Sequence, residues 1–376
     1  MSIDQNGATA TVPDDRVRNV SAIRKALIRP ELGAICGTIL VFLFFAIVAP
    51  DSGMFSLEGI MNWGTVSAQF AIIAVGACLL MIAGEFDLSV GSMIGFSGIT
   101  IALLTTAFGV PLWLSILIAF ALALAIGAIN GFLILRTGLP SFIVTLAALF
   151  ILRGLTIYIP ISTNGSTIIG GLKTAAQNDW LAPLFGGRAF TSIFAWLAEH
   201  GVISTFKAGP KAGLPVVDGI PALMIWAIGL VVLGHILLTR TTFGNGIFAA
   251  GGDASAAKNV GVPVGRVKIL MFMLSAFCAT VLATCQVLEF GSAAADRGLL
   301  KEFEAIIAVV IGGTLLTGGY GTVFGAALGA VIFGVVQQGL FFAGVESSLF
   351  RVFLGIILLA AVVLNTYIRR IITGER

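Results

Sequence analysis

The sequence predicts an all-α, polytopic transmembrane bundle of about ten spans, and three observations carry that prediction. Hydrophobic residues fill 58% of the 376 positions and charged residues only 10%, where a soluble domain carries about 25%. The mean hydropathy is +1.07, too high for a chain that must cover itself with water-facing groups. The apolar runs are continuous and lack the strict alternation of a membrane barrel. Helices then remain as the way to satisfy every backbone group in lipid.

From the N-terminus, residues 1–32 form a polar segment carrying Arg16, Arg18, Arg24, Lys25 and Arg29. The run from Gly33 to Ala49 does not read as a secretory signal, which has a short apolar core and a small-residue cleavage site. It is long enough to begin an uncleaved span of about 17–25 residues. Apolar stretches place the spans near 33–50, 64–83, 88–108, 112–135, 140–160, 220–239, 267–288, 303–316, 322–343 and 349–368. Together they form one continuous membrane domain, residues 33–370, with a short tail at 371–376. Two regions interrupt it. Residues 161–219 are rich in Gly, Ser, Thr and Asn, and Phe190, Ile193, Phe194 and Leu197 recur there at the spacing of a short amphipathic helix on the membrane surface. Residues 240–266 form a polar loop on the opposite side.

Basic residues set the orientation. With ten spans and the N-terminus inside, thirteen Lys/Arg lie on the cytoplasmic side and seven outside, with Arg153 inside a span. Both termini are therefore expected in the cytoplasm, 161–219 outside, and 240–266 inside. A net charge of +3 argues against nucleic acid as a partner. Cys36, Cys78, Cys278 and Cys285 all sit in apolar runs, where neither disulfides nor metal sites are expected. His200 and His235 alone cannot build a His-based metal centre.

Polar residues inside the apolar frame are functional candidates, because intramembrane charge is costly. Glu85 and Asp87 lie between two spans, in Gly84-Glu85-Phe86-Asp87-Leu88-Ser89-Val90-Gly91. Asp87 reads as a cap on the next helix, whereas Glu85 has no such role and either faces water or a pathway. Arg153 needs an acidic partner, with Glu85 and Glu289 as candidates. Gln69 and Gln286 line a pathway or satisfy a neighbouring helix. Gly321, Gly325 and Gly329 make small-xxx-small steps, as do Gly91/Gly95 and Gly127/Gly131, which let helices approach closely. Such steps serve packing within one chain or a subunit or gate contact. A short internal similarity relates Ile82-Ala83-Gly84 through Gly95 to Ile311-Gly312-Gly313 through Gly325, as duplicated halves of a transporter would.

The loop 240–266 carries its own punctuation. Asp253 opens a short helical stretch through Ala256, Ala257 and Lys258; Gly261 stops it and Pro263 follows. A solvated two-turn helix is marginal alone, so it packs on its own bundle or docks into another protein. The chain has no Gly-x-x-x-x-Gly-Lys-Ser/Thr phosphate loop. If ATP drives it, a partner binds the nucleotide.

These residues resemble one family, the ribose/xylose-type permeases of bacterial ABC importers. Gly84-Glu85-Phe86-Asp87-Leu88-Ser89-Val90-Gly91-Ser92 is similar to the family's Gly-Gly-Ile-Asp-Leu-Ser-Val-Gly-Ser segment. Pro140 to Leu146, Leu152-Arg153-Gly154, Thr163-Asn164-Gly165, the loop from Phe243 to Lys268, and Ile311 through Gly325 are similar as well. The resemblance runs over roughly residues 35–370. The chain departs from the pattern at Glu85 and Phe86, at Gln337-Gln338-Gly339 where relatives often have Asn-Asn-Gly, and in the length of 161–219.

The resemblance implies an inner-membrane permease subunit without catalytic residues, which imports a small sugar. It implies three partners besides the lipid: a cytoplasmic ATPase carrying ATP and Mg, a periplasmic sugar-binding protein, and a second permease copy, identical or not. Asp253 to Gly261 would then be the coupling helix seated in the ATPase. Sugar selectivity is expected mainly in the binding protein. Rival readings are a permease for a polyol, nucleoside or branched-chain amino acid, an ion-coupled carrier whose uptake an uncoupler abolishes, and a membrane-embedded enzyme.

Overall fold

The structure, a computed structural model, describes residues 30–207 and 212–346 together with isolated positions from 349 to 363. Most of the expected span at 349–368 and the tail at 371–376 lie outside the described residues, as does nearly all of the N-terminal segment.

Helix α1 (Pro30–Val48) opens with proline and Glu31 in its first turn, both suited to a helix N-terminus. Helix α2 (Leu57–Ile82) starts at Ser56, whose hydroxyl accepts the Gly59 amide at 3.1 Å. Then come α3 (Val90–Thr106), α4 (Leu112–Thr137) and α5 (Ser141–Asn164). The expected insertion holds β1 (Ile168–Ile169), α6 (Leu172–Ala175), α7 (Ala182–Gly186), β2 (Arg188–Ala189), α8 (Thr191–Glu199) and β3 (Ile220–Pro221). Next are α9 (Ala222–Arg240), α10 (Thr242–Gly252), α11 (Ala254–Asn259), α12 (Val264–Phe290), β4 (Ala293–Ala294), α13 (Lys301–Ile311) and α14 (Val323–Phe342). Seven of the described helices, α1, α2, α4, α5, α9, α12 and α14, are long and apolar enough to cross a membrane; α3 is a shorter apolar helix.

Helices α2 and α12 form the centre, with Ile72, Leu79, Ile82, Phe272, Cys278 and Val281 essentially inaccessible. The outer helices α1 and α5 leave Ile47, Phe150 and Tyr158 exposed, as lipid-facing surfaces do. Small residues set the close contacts. A Cβ on Gly127 would lie 2.7 Å from the Phe272 carbonyl oxygen, and one on Gly329 only 2.0 Å from that of Ala308. The glycine steps thus pack helices within this chain, α4 on α12 and α14 on α13. Gly321 does not belong to its step: it lies before α14, with φ +152, because the helix starts only at Val323, after Thr322 accepts the Gly325 amide.

Two other sequence expectations change. The stretch at 303–316 is an 11-residue helix, too short to cross a bilayer by itself. The loop 240–266 is mostly helical, because Thr241 caps α10 by accepting the Gly244 amide at 3.0 Å. The insertion is tied down by two antiparallel pairs, Ile168↔Ala294 and Arg188↔Pro221. Its helix α8 buries Phe194 against Ile203 and Val217, with Leu197 alongside, and leaves Phe190 and Ile193 exposed.

Candidate functional site

The acidic segment after α2 is held at both of its carboxylates. Asp87 accepts the Ser89 amide at 2.9 Å, the Ser89 hydroxyl, and the Ser275 hydroxyl of α12 at 2.8 Å. Asn130 of α4 donates to the Ser89 hydroxyl at 3.3 Å. Asp87 is therefore not the cap of α3, which begins at Ser89 without a side-chain cap. It bends the chain ahead of the helix and fastens it to α12. Ser275 lies eleven residues into α12, about 16 Å from its start, so Asp87 sits well inside the bundle. Glu85 pairs with Lys268; with both side chains largely buried, each charge meets its opposite where solvent cannot. Neither Glu85 nor Glu289 pairs with Arg153, whose guanidinium donates to the Ala295 carbonyl at 3.0 Å. The backbone between the acids is also read out, as Phe86 and Leu88 amides donate to Ser141 and Thr145 hydroxyls at 3.1 Å.

The turn that ends α2 recurs at the end of α13. Gly84 and Gly313 take φ +83 and +89. The Gly84 and Glu85 amides reach the Met81 and Leu80 carbonyls at 2.9 and 3.1 Å; the Gly313 and Thr314 amides reach Val310 and Val309 at 2.9 and 3.2 Å. These are paired helix-ending bonds around a left-handed glycine, in the register of the internal similarity.

Helix α10 ends against the first of these turns and against Gly318 and Gly319, in the loop that follows the second. The Gly319 amide donates to the Ile82 carbonyl at 2.8 Å. A Cβ on Gly251 would lie 1.8 Å from that same oxygen, and one on Gly318 2.8 Å from the Gly84 Cα. Backbone meets backbone here with no side chain between. From this junction the chain runs straight into α11. Asp253 caps it, accepting the Ser255 and Ala256 amides at 2.9 Å, and Gly261, φ +87, ends it. Only Ala257 of α11 is buried; Asp253, Ala256 and Lys258 are exposed, and Val260 beyond it is 79% exposed. The short helix thus rests on the bundle through Ala257, with Ala254 half-buried against the core, and presents the rest.

Midway along the bundle two short helices meet end to end. A Cβ on Gly91, in the first turn of α3, would lie 1.9 Å from Oε2 of Glu302, and one on Gly298 1.7 Å from the Gly91 carbonyl oxygen. Lys301 lies 4.6 Å from the ring centre of Phe70, the middle of α2, and pairs with Glu304. So α13 starts at mid-height, and the Lys301–Glu304 pair is interior. Glu302 is 4% exposed and its Oε2 has no hydrogen-bond partner among the described residues. This acid draws no attention in the sequence, because the apolar run following it places it at a surface.

At the end bearing the insertion, a cavity of about 830 Å3 opens between α2, α14 and the insertion. Gln69 and Gln286 are brought together nearby, amide to amide at 3.2 Å, but neither lines it.

A family profile described as branched-chain amino acid transport system / permease component matches residues 59–362. The chain is 31% identical over 364 residues to the xylose transport system permease protein of Escherichia coli K12, covering 89% of this chain and 91% of the relative. It is 30% identical over 331 residues to the ribose import permease protein of the same strain, covering 87% and 92%. An inner membrane ABC transporter permease protein of that strain is 33% identical over 314 residues, covering 83% and 85%. No solved structure matches the chain.

Proposed function

The chain belongs to the branched-chain amino acid transport system / permease component family, a multi-pass membrane permease component, and from that premise we propose that it is the membrane-spanning subunit of an ATP-driven importer for a monosaccharide. In this reading α13 makes up one of ten spans only together with the chain leading into it, the tenth lies at 349–368, and both termini and the α10–α11 segment are in the cytoplasm with residues 161–219 in the periplasm. Two permease copies form the pathway. A cytoplasmic ATPase binds ATP and Mg, and a periplasmic binding protein delivers the sugar. The chain itself makes and breaks no bond of the substrate.

The observation that carries this reading is the contact of Gly251 and Gly319 with the Ile82 carbonyl. A partner docked on the exposed face of α11 moves a segment continuous with α10. At that junction no flexible side chain absorbs the displacement. It passes to the end of α2, to the Asp87 segment fastened on α12, and to the turn after α13. ATP binding to a closed ATPase pair then shifts the bundle between two arrangements by its differential affinity for them. The pentose permeases among the relatives support a monosaccharide as cargo.

The test is co-purification with the ATPase from co-expressing cells, comparing wild type with Gly261→Arg. Gly261 adopts φ +87 and a Cβ there meets nothing within 4 Å, so the substitution strains the end of α11 without invading the bundle. The expected result is normal membrane insertion with loss of the ATPase. Retention of the ATPase by the variant would remove α11 as the docking element. A wild-type chain that never associates with an ATPase would refute the importer reading.

A further inference from the structure

The cavity at the insertion end has a composition that the transport reading alone does not require. On α2, Glu58, Asn62 and Thr65 line it at helical spacing, and on α14 Gln337 and Gln338 face them. Side-chain amides and carboxylates are set across a volume of about 830 Å3, inside the range of about 300–1,000 Å3 typical of small-molecule sites. Oε1 of Gln337 is buried without a hydrogen-bond partner among the described residues. An unsatisfied buried acceptor of this kind is what a ligand hydroxyl would satisfy. Amides offer donors and acceptors side by side, the pairing that vicinal hydroxyls need.

The charges are one-sided. Among the described residues Glu58, Glu289, Glu304 and Glu346 line the cavity against Arg188 as the one basic lining residue, and Glu304 is paired with Lys301. Arg188 is already held by Asp218 at 2.9 Å and Glu289 at 3.2 Å. Among the described residues no basic lining residue is left to receive a ligand carboxylate or phosphate, and the carboxylates of Glu58 and Glu346, which have no ion pair among those residues, repel one.

We propose that this cavity is a selectivity site within the permease itself, which takes neutral polyhydroxylated molecules through Asn62, Gln337 and Gln338 and rejects their anionic derivatives. The inference rests on the importer reading for its biological sense, but not for its physics. It places discrimination in the membrane subunit, by repulsion as well as attraction, in addition to any made by a binding protein. Gln69 stands seven residues beyond Asn62 on α2, about 10 Å deeper. Its oxygen accepts one bond from the Gln286 amide, whose own oxygen has no partner among the described residues, so a passing polyol could replace that bond with its own hydroxyls.

The experiment is saturation-transfer NMR on the full chain in lipid nanodiscs, with D-xylose, D-ribose, D-glucuronate and L-leucine as probes. The two neutral sugars are expected to bind and glucuronate and leucine to give no signal. Gln338→Leu should weaken sugar binding about tenfold, the loss of one or two hydrogen bonds, and Asn62→Leu should do likewise if Gln338→Leu impairs folding. Glu58→Gln with Glu346→Gln should admit glucuronate. Glucuronate or leucine binding to the wild type as well as xylose would overturn the proposal. So would the absence of any sugar signal from a chain that supports sugar uptake when reconstituted with its ATPase and binding protein. Sugar binding without such uptake would refute the importer reading and leave the site standing.

Discussion

At the end carrying α10 and α11, the backbones of Ile82, Gly251 and Gly319 touch directly, while at the opposite end a cavity of about 830 Å3, lined by acids and amides, opens beside the ends of α2 and α14. Between the two ends α2 and α14 pack closely, Gly334 against Ser67, so the same elements end in close contact on one side and at a cavity on the other. Two ionic groups follow the same division, although Lys301–Glu304, with Glu304 at the cavity, is also largely buried at 19% and 15%. Lys268 and Glu85 pair with side-chain exposures of 16% and 10%, whereas Arg188 bridges Asp218 and Glu289 at 35%, 59% and 38%. A region without slack transmits displacement; a region with room and polar lining admits a solute. Removing a contact should therefore be costly at the first end and mild at the second.

The largest effect is expected for Lys268→Met. It leaves Glu85 uncompensated in a nearly buried position, and breaking such a pair costs about 3–5 kcal/mol. The midpoint of thermal inactivation in detergent, followed by size exclusion, should fall sharply and uptake should disappear. Adding Glu85→Leu removes the orphaned charge and should restore most of the stability. If Lys268→Met alone is neutral, the pair is solvated and the contrast between the two ends weakens.

Next comes Gly251→Val. The Cβ has no room beside the Ile82 carbonyl, and forced overpacking costs about 1–3 kcal/mol. Since the junction is also the path from α11 into the bundle, uptake should fall further than thermal stability does, with ATPase co-purification retained. Loss of stability and uptake in equal proportion would make the junction a packing contact alone.

Much of the glycine end was legible in the sequence because its signals are local. Asp253, Gly261 and Pro263 mark the limits of α11 within a few residues, and Ile82-Ala83-Gly84 and Ile311-Gly312-Gly313 already announce the same helix-ending turn. Helix α10 was hidden as a loop, since Thr242–Gly252 contains four glycines, poor helix formers, of which Gly251 comes close to the Ile82 carbonyl and the Gly319 amide and Gly244 to the Leu238 carbonyl. What is set by distant pairing was not legible. Lys268 is 183 residues from Glu85, and nothing at either position selects the other over Arg153. The mid-height start of α13 was missed for a related reason: hydropathy gives the length of an apolar run but not its depth. Asp87 looked like a cap because its nearest partner is local, while its bond to Ser275 spans 188 residues.

The smallest effect is expected at Arg188, and it is the one that separates the two ends most cleanly. Arg188→Gln removes two ion pairs at once, more bonds than Lys268→Met removes. Yet each pair lies where water screens it, and exposed pairs contribute about 0–1 kcal/mol. The β2–β3 pairing at Arg188↔Pro221 is a backbone contact and survives the change. Thermal inactivation in detergent should therefore shift by little, and less at high salt than at low, because screening already weakens the wild-type pairs. The substitution also leaves Glu289 without its cation beside the cavity, so any rejection of anionic sugars should strengthen while neutral-sugar binding holds. A large loss of stability would show instead that the insertion is clamped by these charges, and the two ends would then be built on the same principle.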